Sequence, residues 1–318
     1  MGPRRADRIR DDGRETRMRV ADNWRDYALL DASGGERLER WGEILLIRPD
    51  PQVVWDTPKE APEWKAAHAR YHRSKTGGGH WEVYRTIPDV WQIGYDTLRF
   101  RLKPMGFKHT GLFPEQAVNW DWMGALIRGA GRPVRVLNLF GYTGAATLAC
   151  AAAGASVTHV DAARGMVLWG KENAAASSLA DRPIRWLVDD CRKFVQREIR
   201  RGSAYDGIVM DPPSYGRGPN GEVWKLEDEI YPLLCDCLRV LSEKPLFLAV
   251  NSYSAGLSPS VMGYLLHCLM VPVYGGSVHT EEIGLRVRST GLPLPCGATA
   301  LWSCGPAGGN SHGVSGTD

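Results

Sequence analysis

From Val134 onward, short apolar runs alternate with segments of helical spacing. The runs predict strands at Val134–Leu139, Ser156–Val160, Ile184–Leu187, Tyr205–Met210 and Leu246–Val250. The segments between them predict helices at Ala145–Ala153, Arg164–Ser177, Arg192–Arg200 and Leu226–Leu241, with a last helix over Pro259–Met270. Strands alternating with helices form a parallel, doubly wound sheet through right-handed crossovers. The pattern then changes. Val278–Ile283 and Ala298–Cys304 are joined by Pro- and Gly-rich sequence without a helix, which predicts an antiparallel hairpin closing one edge. The expected fold class is α/β, a doubly wound and mostly parallel sheet of seven strands in all, with this C-terminal edge hairpin.

Upstream, the spacing is of strand type. Runs between Tyr27 and Trp55 are punctuated by Gly34-Gly35 and prolines, and Trp81–Tyr84, Trp91–Tyr95 and Leu98–Lys103 alternate apolar with polar residues. A short helix is expected over Glu63–Tyr71 and another over Trp120–Arg128, with Pro114 as the signal ahead of its start. The expected organisation is a basic disordered tail (1–21), a small β-rich domain (22–107), the α/β domain (108–304) and a disordered Gly/Ser-rich tail (305–318). Six tryptophans, Trp24, Trp41, Trp55, Trp64, Trp81 and Trp91, crowd the β-rich part. Filling a small core is the more common use of such rings, and stacking on bases the sharper one.

Composition changes this picture little. Hydrophobic residues make up 43% of the 318 residues and the formal net charge is +3, as in an ordinary globular chain. No apolar run reaches the length of a bilayer span, and the arginine-rich start lacks the apolar core of a secretory signal, so a cytoplasmic protein without a membrane partner is expected. Seven cysteines without paired spacing point to reduced thiols and to no metal site. The arginines of the first twenty residues are diluted by Asp7, Asp11, Asp12 and Glu15, which favours a solvated tail over a phosphate-binding arm.

Candidate chemistry collects at the ends of successive predicted strands. After the first stands a glycine loop, Phe140-Gly-Tyr-Thr-Gly144, where backbone can approach a ligand. Asp161 follows the second strand, placed to accept ribose hydroxyls. Asp189-Asp190 follow the third, where one carboxylate can accept an adenine amino hydrogen. Asp211-Pro-Pro-Ser214 follow the fourth, a stiffened loop that can hold Asp211 and the Pro212 carbonyl toward a planar polar acceptor. Plainer roles stand beside these: helix caps for Asp161 and Asp190, and an ordinary turn for Asp-Pro-Pro. One acid per strand end is what favours the functional reading. The first loop lacks the Gly-x-Gly-x-x-Gly of nicotinamide folds.

These residues resemble the class I S-adenosylmethionine-dependent methyltransferases, and more closely bacterial large-subunit ribosomal RNA methyltransferases of the cytosine-C5 and guanine-N7 type. The matching stretches are Asn138–Gly144, Val160-Asp161, Glu172–Ala174, Asp190 and Asp211–Tyr215, with Gly111–Gln116, Gly216–Gly218, Asn251–Ser254 and Gly291–Gly297. The resemblance implies a Rossmann-like methyltransferase with S-adenosyl-L-methionine as cofactor and RNA, above all ribosomal RNA, as substrate. It implies cofactor contacts at Phe113, Gln116, Asn138, Phe140, Gly141, Tyr142, Thr143, Gly144, Asp161, Ala162, Asn173, Asp189, Asp190 and Asp211. Asp211, Pro212, Pro213 and Tyr215 would face the methyl acceptor. Two departures stand out. Asn251-Ser252 occupy the place where cytosine-C5 enzymes carry their attacking cysteine, and Cys296 lies in the far hairpin as a structural thiol. The segment before Tyr27 is also too short for the additional RNA-binding module of such enzymes, which leaves RNA recognition to the Trp-rich element and the strand bearing Arg99 and Arg101. The alternatives are a methyltransferase of small molecules or proteins, and a non-catalytic RNA-binding protein on the same fold.

Overall fold

The computed structural model describes residues 18–74, 78–217, 223–254 and 256–305. In chain order its first part comprises β1 (Met18–Val20), β2 (Tyr27–Ser33), β3 (Glu36–Trp41), β4 (Ile44–Pro49), α1 (Glu63–Ala66), β5 (Ala69–Arg73), β6 (Gly79–Val83), β7 (Trp91–Tyr95) and β8 (Leu98–Leu102). A 3-10 turn (Pro114–Gln116) leads into α2 (Ala117–Gly129). Then follow β9 (Arg135–Leu139), α3 (Ala145–Ala152), β10 (Ser156–Asp161), α4 (Arg164–Ala176), β11 (Ile184–Val188), α5 (Cys191–Arg201) and β12 (Gly207–Met210). The short hairpin β13 (Tyr215–Arg217) and β14 (Val223–Lys225) precedes α6 (Leu226–Leu238), β15 (Phe247–Ser252), α7 (Pro259–Tyr274), β16 (Ser277–Arg286) and β17 (Pro293–Ser303).

The main sheet runs β1-β16-β17-β15-β12-β9-β10-β11. Its middle is parallel, and β17 is antiparallel to both neighbours, as the C-terminal pattern predicts. The expected seven strands become eight because Met18–Val20, expected in the disordered tail, pair parallel with Glu282–Gly284. Residues 1–17 and 306–318, the rest of the two expected tails, lie outside the described residues. Arg19 explains the docking of β1: its Nη2 donates to Asn119 Oδ1 at 2.5 Å, its Nη1 to the Val118 carbonyl at 3.1 Å, and it pairs with Glu281.

The central strands are buried on both faces, which is why they read as continuous apolar runs. Alternate residues divide between two clusters. Leu137, Ile208 and Leu248 pack with Phe194, Leu233 and Leu266 of α5, α6 and α7. Val136, Val209 and Ala249 pack with Met123 of α2 and Leu148 of α3. That second cluster continues into Trp41, Leu46, Phe100 and Leu102, so residues on either side of the boundary expected near Lys108 share one core.

The N-terminal part holds a five-stranded sheet, β2-β3-β4-β5-β6, and the hairpin β7-β8. The helix expected over Glu63–Tyr71 stops at Ala66, because Ala69–Arg73 pair with both β4 and β6. Inside lies an ion cluster. Arg48 reaches both Glu39 oxygens, Nε at 2.5 Å and Nη2 at 2.7 Å, and the Tyr27 hydroxyl donates to the same carboxylate at 2.8 Å. Arg37 lies 3.3 Å from Glu39 and 3.4 Å from Asp50. Burial alone would raise the Glu39 carboxyl, but Arg37 and Arg48 hold it at about 2. The tryptophans here chiefly fill and pin: Trp41 is fully buried, and the indole N–H groups of Trp55, Trp64 and Trp81 donate to Ala32, Asp31 and Met105.

Candidate active site

In the sheet, β9 has β10 on one side and β12 on the other. The chain leaves β9 in one direction and returns to its far side later, so a crevice opens at the carboxyl ends of these strands, where open α/β sheets bind ligands. The glycine loop occupies it. Phe140 and Tyr142 have φ of 56° and 50° and Gly144 has 87°, so the backbone repeatedly enters the left-handed region. Non-glycine residues hold that shape at a cost of about 1 kcal/mol or more each, and only when the surroundings enforce it.

The enforcing contacts are explicit. Gly141 N donates to the Val160 carbonyl at 3.0 Å and Tyr142 N to Asp161 Oδ2 at 2.9 Å. Phe140 N points at the Cys191 thiol, 3.2 Å away. From behind, His159 presses its ring on the loop, and a Cβ on Gly141 would stand 2.4 Å from His159 Cε1. Burial holds that imidazole neutral, down to about 3. Its Nδ1 meets the Thr147 hydroxyl at 2.9 Å, which also accepts from Asn138 Nδ2 at 2.8 Å. The segment ahead of α2 closes the other side: Thr143 Oγ1 donates to the Gly111 carbonyl at 2.6 Å.

A narrow cleft, with about 60 Å³ of open cavity, lies between them. Phe113, Gln116, Asn138, Phe140, Gly141, Tyr142, Thr143 and Asp211 line it, as the sequence reading expects. Asn251, at the end of β15, and apolar residues of α2 and α3 line it as well and were not anticipated as site residues. The signal for Asn251 was available: Asn251–Ser254 follow a predicted strand, just as Asp211–Ser214 do.

Other expected residues stand elsewhere. Gly144 turns the loop into α3 against Trp186 and Gly170. Asp161 is not a helix cap, because Ala163 caps α4 without a side-chain bond. Its carboxylate accepts from Tyr142 N and from Ala163 N at 2.8 Å, beside exposed Ala162. Burial raises this carboxyl against those two hydrogen bonds. Asp190 does cap α5, with Oδ1 accepting from Lys193 N at 2.8 Å, while Asp189 pairs with Arg197. Asn173 is displaced from the cleft altogether. It is fully buried, its Nδ2 donating to the Thr143 carbonyl at 2.9 Å and its Oδ1 accepting from Arg101 N at 2.8 Å. Its place is that of a clamp between loop and β8.

On the far side, Pro212 is buried, Pro213 exposed and Tyr215 half exposed at 51%. The Trp224 indole donates to the Pro213 carbonyl at 2.6 Å and its ring lies 5.2 Å from Phe140, so β14 supports the acidic loop. Tyr253 stands beside the cleft-lining Phe113 and Gln116. Its ring stands 5.6 Å from Phe113 and is 40% exposed, while its hydroxyl accepts from Gln116 Nε2 at 2.9 Å. Asp211 is partly covered as a residue, yet burial of its carboxyl, and then the charge of Glu115, push it up to about 7. Cys296, expected far from the site, is the extra residue of a bulge between Pro295 and Gly297, and Gly297 packs beneath the Tyr253 ring. Arg99 and Arg101 are engaged within the chain, with the Asp96 carbonyl and Glu172 respectively.

Residues 23–230 match the family of S-adenosylmethionine-dependent methyltransferases. The chain belongs to that family. A methyltransferase of the same description from Agrobacterium tumefaciens is similar over nearly the whole molecule, at 37% identity and a TM-score of 0.85, covering 91% of this chain and 93% of that one. A Streptococcus mutans chain at 18% identity and a TM-score of 0.69 covers 88% of this methyltransferase and 76% of its own length, a likeness of fold alone. Among curated proteins, "Ribosomal RNA large subunit methyltransferase K/L" of Shewanella sp. strain ANA-3 is 35% identical over 126 residues, 39% of this chain and 17% of that protein. Its counterpart in Shewanella baltica strain OS195 is 32% identical over 146 residues, 45% and 20% of the two chains. The matched part of this methyltransferase thus spans a fifth or less of those relatives. The enzyme's cofactor is S-adenosylmethionine, and the cleft suits it: strained backbone, aromatic faces at Phe113 and Tyr142 for a sulfonium, and amide groups at Gln116, Asn138 and Asn251.

Proposed function

We propose that this methyltransferase acts on a nucleobase of RNA, with ribosomal RNA as the substrate. The observation that carries the reading is the acceptor side of the cleft. There Asp211-Pro-Pro, stiff and backed by Trp224, stands with the aromatic rings of Phe113 and Tyr253. A flat, polar, π-faced acceptor meets all of these at once. The partial likeness to the ribosomal RNA methyltransferases K/L supports the same substrate class.

We assign the residue roles by the family resemblance. Gly141 and Gly144 shape the floor under the methionine part, with Asn138, Phe140, Tyr142 and Thr143 around it and Phe113 and Gln116 as its cover. Asp161 and Ala162 serve the ribose, and Asp189 and Asp190 the adenine. Asp211, Pro212 and Pro213 hold the acceptor edge, and Tyr215 stacks on the base. The cofactor brings a methyl group already activated on a sulfonium. The protein's task is therefore alignment and exclusion of water.

Mass spectrometry of ribosomal RNA nucleosides from cells with and without the gene tests this reading. We expect one methylated nucleoside to vanish and to return when purified protein and S-adenosylmethionine are added to the undermethylated RNA. Identical nucleoside profiles would remove ribosomal RNA as the substrate and leave the methyltransferase assignment standing.

A further inference from the structure

The connection from β8 toward the 3-10 turn, Lys103-Pro-Met-Gly-Phe-Lys-His-Thr110, carries two lysines, a histidine and no acid. It folds back on itself: Lys103 N donates to the Thr110 carbonyl and Met105 N to the His109 carbonyl, both at 3.2 Å. Both flanks are pinned. From the N-terminal sheet, the Trp81 indole donates to the Met105 carbonyl at 2.9 Å, the Tyr71 hydroxyl to the Gly106 carbonyl at 3.4 Å and Arg48 Nη1 to the Lys108 carbonyl at 3.0 Å. From the cleft, the Tyr142 hydroxyl stands 3.3 Å from Met105 Sδ, and the Phe113 ring lies 5.3 Å from that of His109. The loop is therefore a fixed rim between the N-terminal sheet and the cleft. Phe107 is its tip, 60% exposed. Single exposed rings are ordinary, and this one draws its meaning from its setting. The Gly106 and Lys108 carbonyls on either side of it are both bonded, which fixes the backbone that presents it. Cations flank it. The Lys103 ammonium lies 4.5 Å over the Trp169 ring, and the Lys108 ammonium donates to the Pro49 carbonyl at 3.2 Å. Burial, then Arg37 and Arg48, push Lys108 down to about 8, so this ammonium is short of an anion. Exposed Arg73 at the end of β5 adds its charge to the same field.

We propose that the loop 103–110 is a docking rim for single-stranded RNA beside the target nucleotide: Phe107 stacks on a flanking base, and Lys103 and Lys108 receive the phosphates. The proposal rests on the RNA reading of the cleft. It moves recognition away from the strand of Arg99 and Arg101, both of which are engaged within the chain. A fixed ring between cations suits an unstacked strand, because every base offers a π-face and every nucleotide a phosphate. A duplex hides its base faces and gains from the charges alone.

The test measures methyl transfer to ribosomal RNA from cells lacking the gene, together with fluorescence anisotropy of a labelled single-stranded RNA of about ten nucleotides. We expect Phe107→Ala to raise KM for the ribosomal RNA and Kd for the oligonucleotide about tenfold, and Phe107→Trp to restore both. Lys103→Gln and Lys108→Gln should each lower the slope of log affinity against log salt by about 0.7, a readout that a merely structural residue leaves alone. Phe107→Ala and Lys103→Gln, both at exposed positions, should keep the native melting temperature and the native affinity for S-adenosylhomocysteine. If the native enzyme methylates the ribosomal RNA and these two variants match its KM and its salt slope, the rim is overturned and the RNA reading stands. A duplex of the same sequence that binds as tightly as the single strand, with Phe107→Ala weakening neither, overturns the stacking. A native enzyme that neither binds the oligonucleotide nor methylates the ribosomal RNA overturns the RNA reading and the rim with it.

Discussion

Two buried carboxylates behave in opposite ways. Glu39, inside the N-terminal sheet, is held at about 2 by Arg37 and Arg48, whereas Asp211, in the cleft, is pushed up to about 7. Both are desolvated, so burial is common to them and partners decide the sign. Glu39 has a fork from Arg48 and a tyrosine hydroxyl; Asp211 has another carboxyl as its neighbour. The first arrangement serves the fold. The second spends stability on a group poised near neutrality, the usual mark of a working site.

The largest effect comes from breaking the satisfied cluster. Glu39→Ala leaves Arg37 and Arg48 buried without their anion, and we expect a loss of about 3–5 kcal/mol, read from urea unfolding at pH 7. The pH dependence has a definite sign. A carboxyl depressed in the folded state adds stability above its unfolded value, near 4.5, and loses it as the pH falls through about 2. Native protein should weaken across that window, and Glu39→Ala should show less of the slope there.

Asp211→Asn probes the other half of the comparison and should go the opposite way. A carboxyl raised in the folded state favours folding below its unfolded value, about 3.9, and that contribution disappears as the pH rises through about 7. At pH 8 the asparagine variant should therefore be more stable than the native protein, by about 2 kcal/mol, and poorer in methyl transfer. Equal melting temperatures at pH 8 would show that Asp211 ionises there without strain. Such a stabilising loss of function has no counterpart at Glu39.

The same contrast explains what could be read from the chain before its structure was known. The strands and helices of the α/β part were legible because burial on both faces writes continuous apolar runs, as in Ile208–Met210 and Leu248–Val250. Strand-end acids were legible for the same reason, since strand ends could be counted. Long-range partnerships could not be. Asn173 followed a recognisable motif, yet what it holds, Arg101 N and the Thr143 carbonyl, lies 72 and 30 residues away. Strand β1 was hidden in an arginine-rich segment because Arg19 finds its partners, Asn119 and Glu281, at the far end of the fold. Cys296 looked remote for want of knowing that the bulge in β17 passes beside Tyr253.

Asp161 sits between the two extremes, partly satisfied by two backbone N–H groups and raised by burial. Replacing it by alanine removes the ribose partner proposed above and also frees the Tyr142 amide. We expect about a tenfold or greater loss of S-adenosylmethionine affinity by calorimetry, the equivalent of about 1.5–3 kcal/mol for hydrogen bonds to a charged group. Unchanged affinity would leave Asp161 as a brace of the loop alone.

Asp190 offers the smallest effect and the finest distinction. Its side chain caps α5 through Lys193 N, a role that serine fills as well as aspartate does. Asp190→Ala should cost about 1 kcal/mol of stability through the lost cap. Asp190→Ser should keep the cap and remove only the carboxylate. If that carboxylate also receives the adenine amino group, the serine variant melts like the native protein but binds S-adenosylmethionine several-fold more weakly. If the two variants bind alike and only the alanine one melts early, the residue belongs with Glu39, among groups that hold the fold, and not with Asp211, among groups that face a ligand.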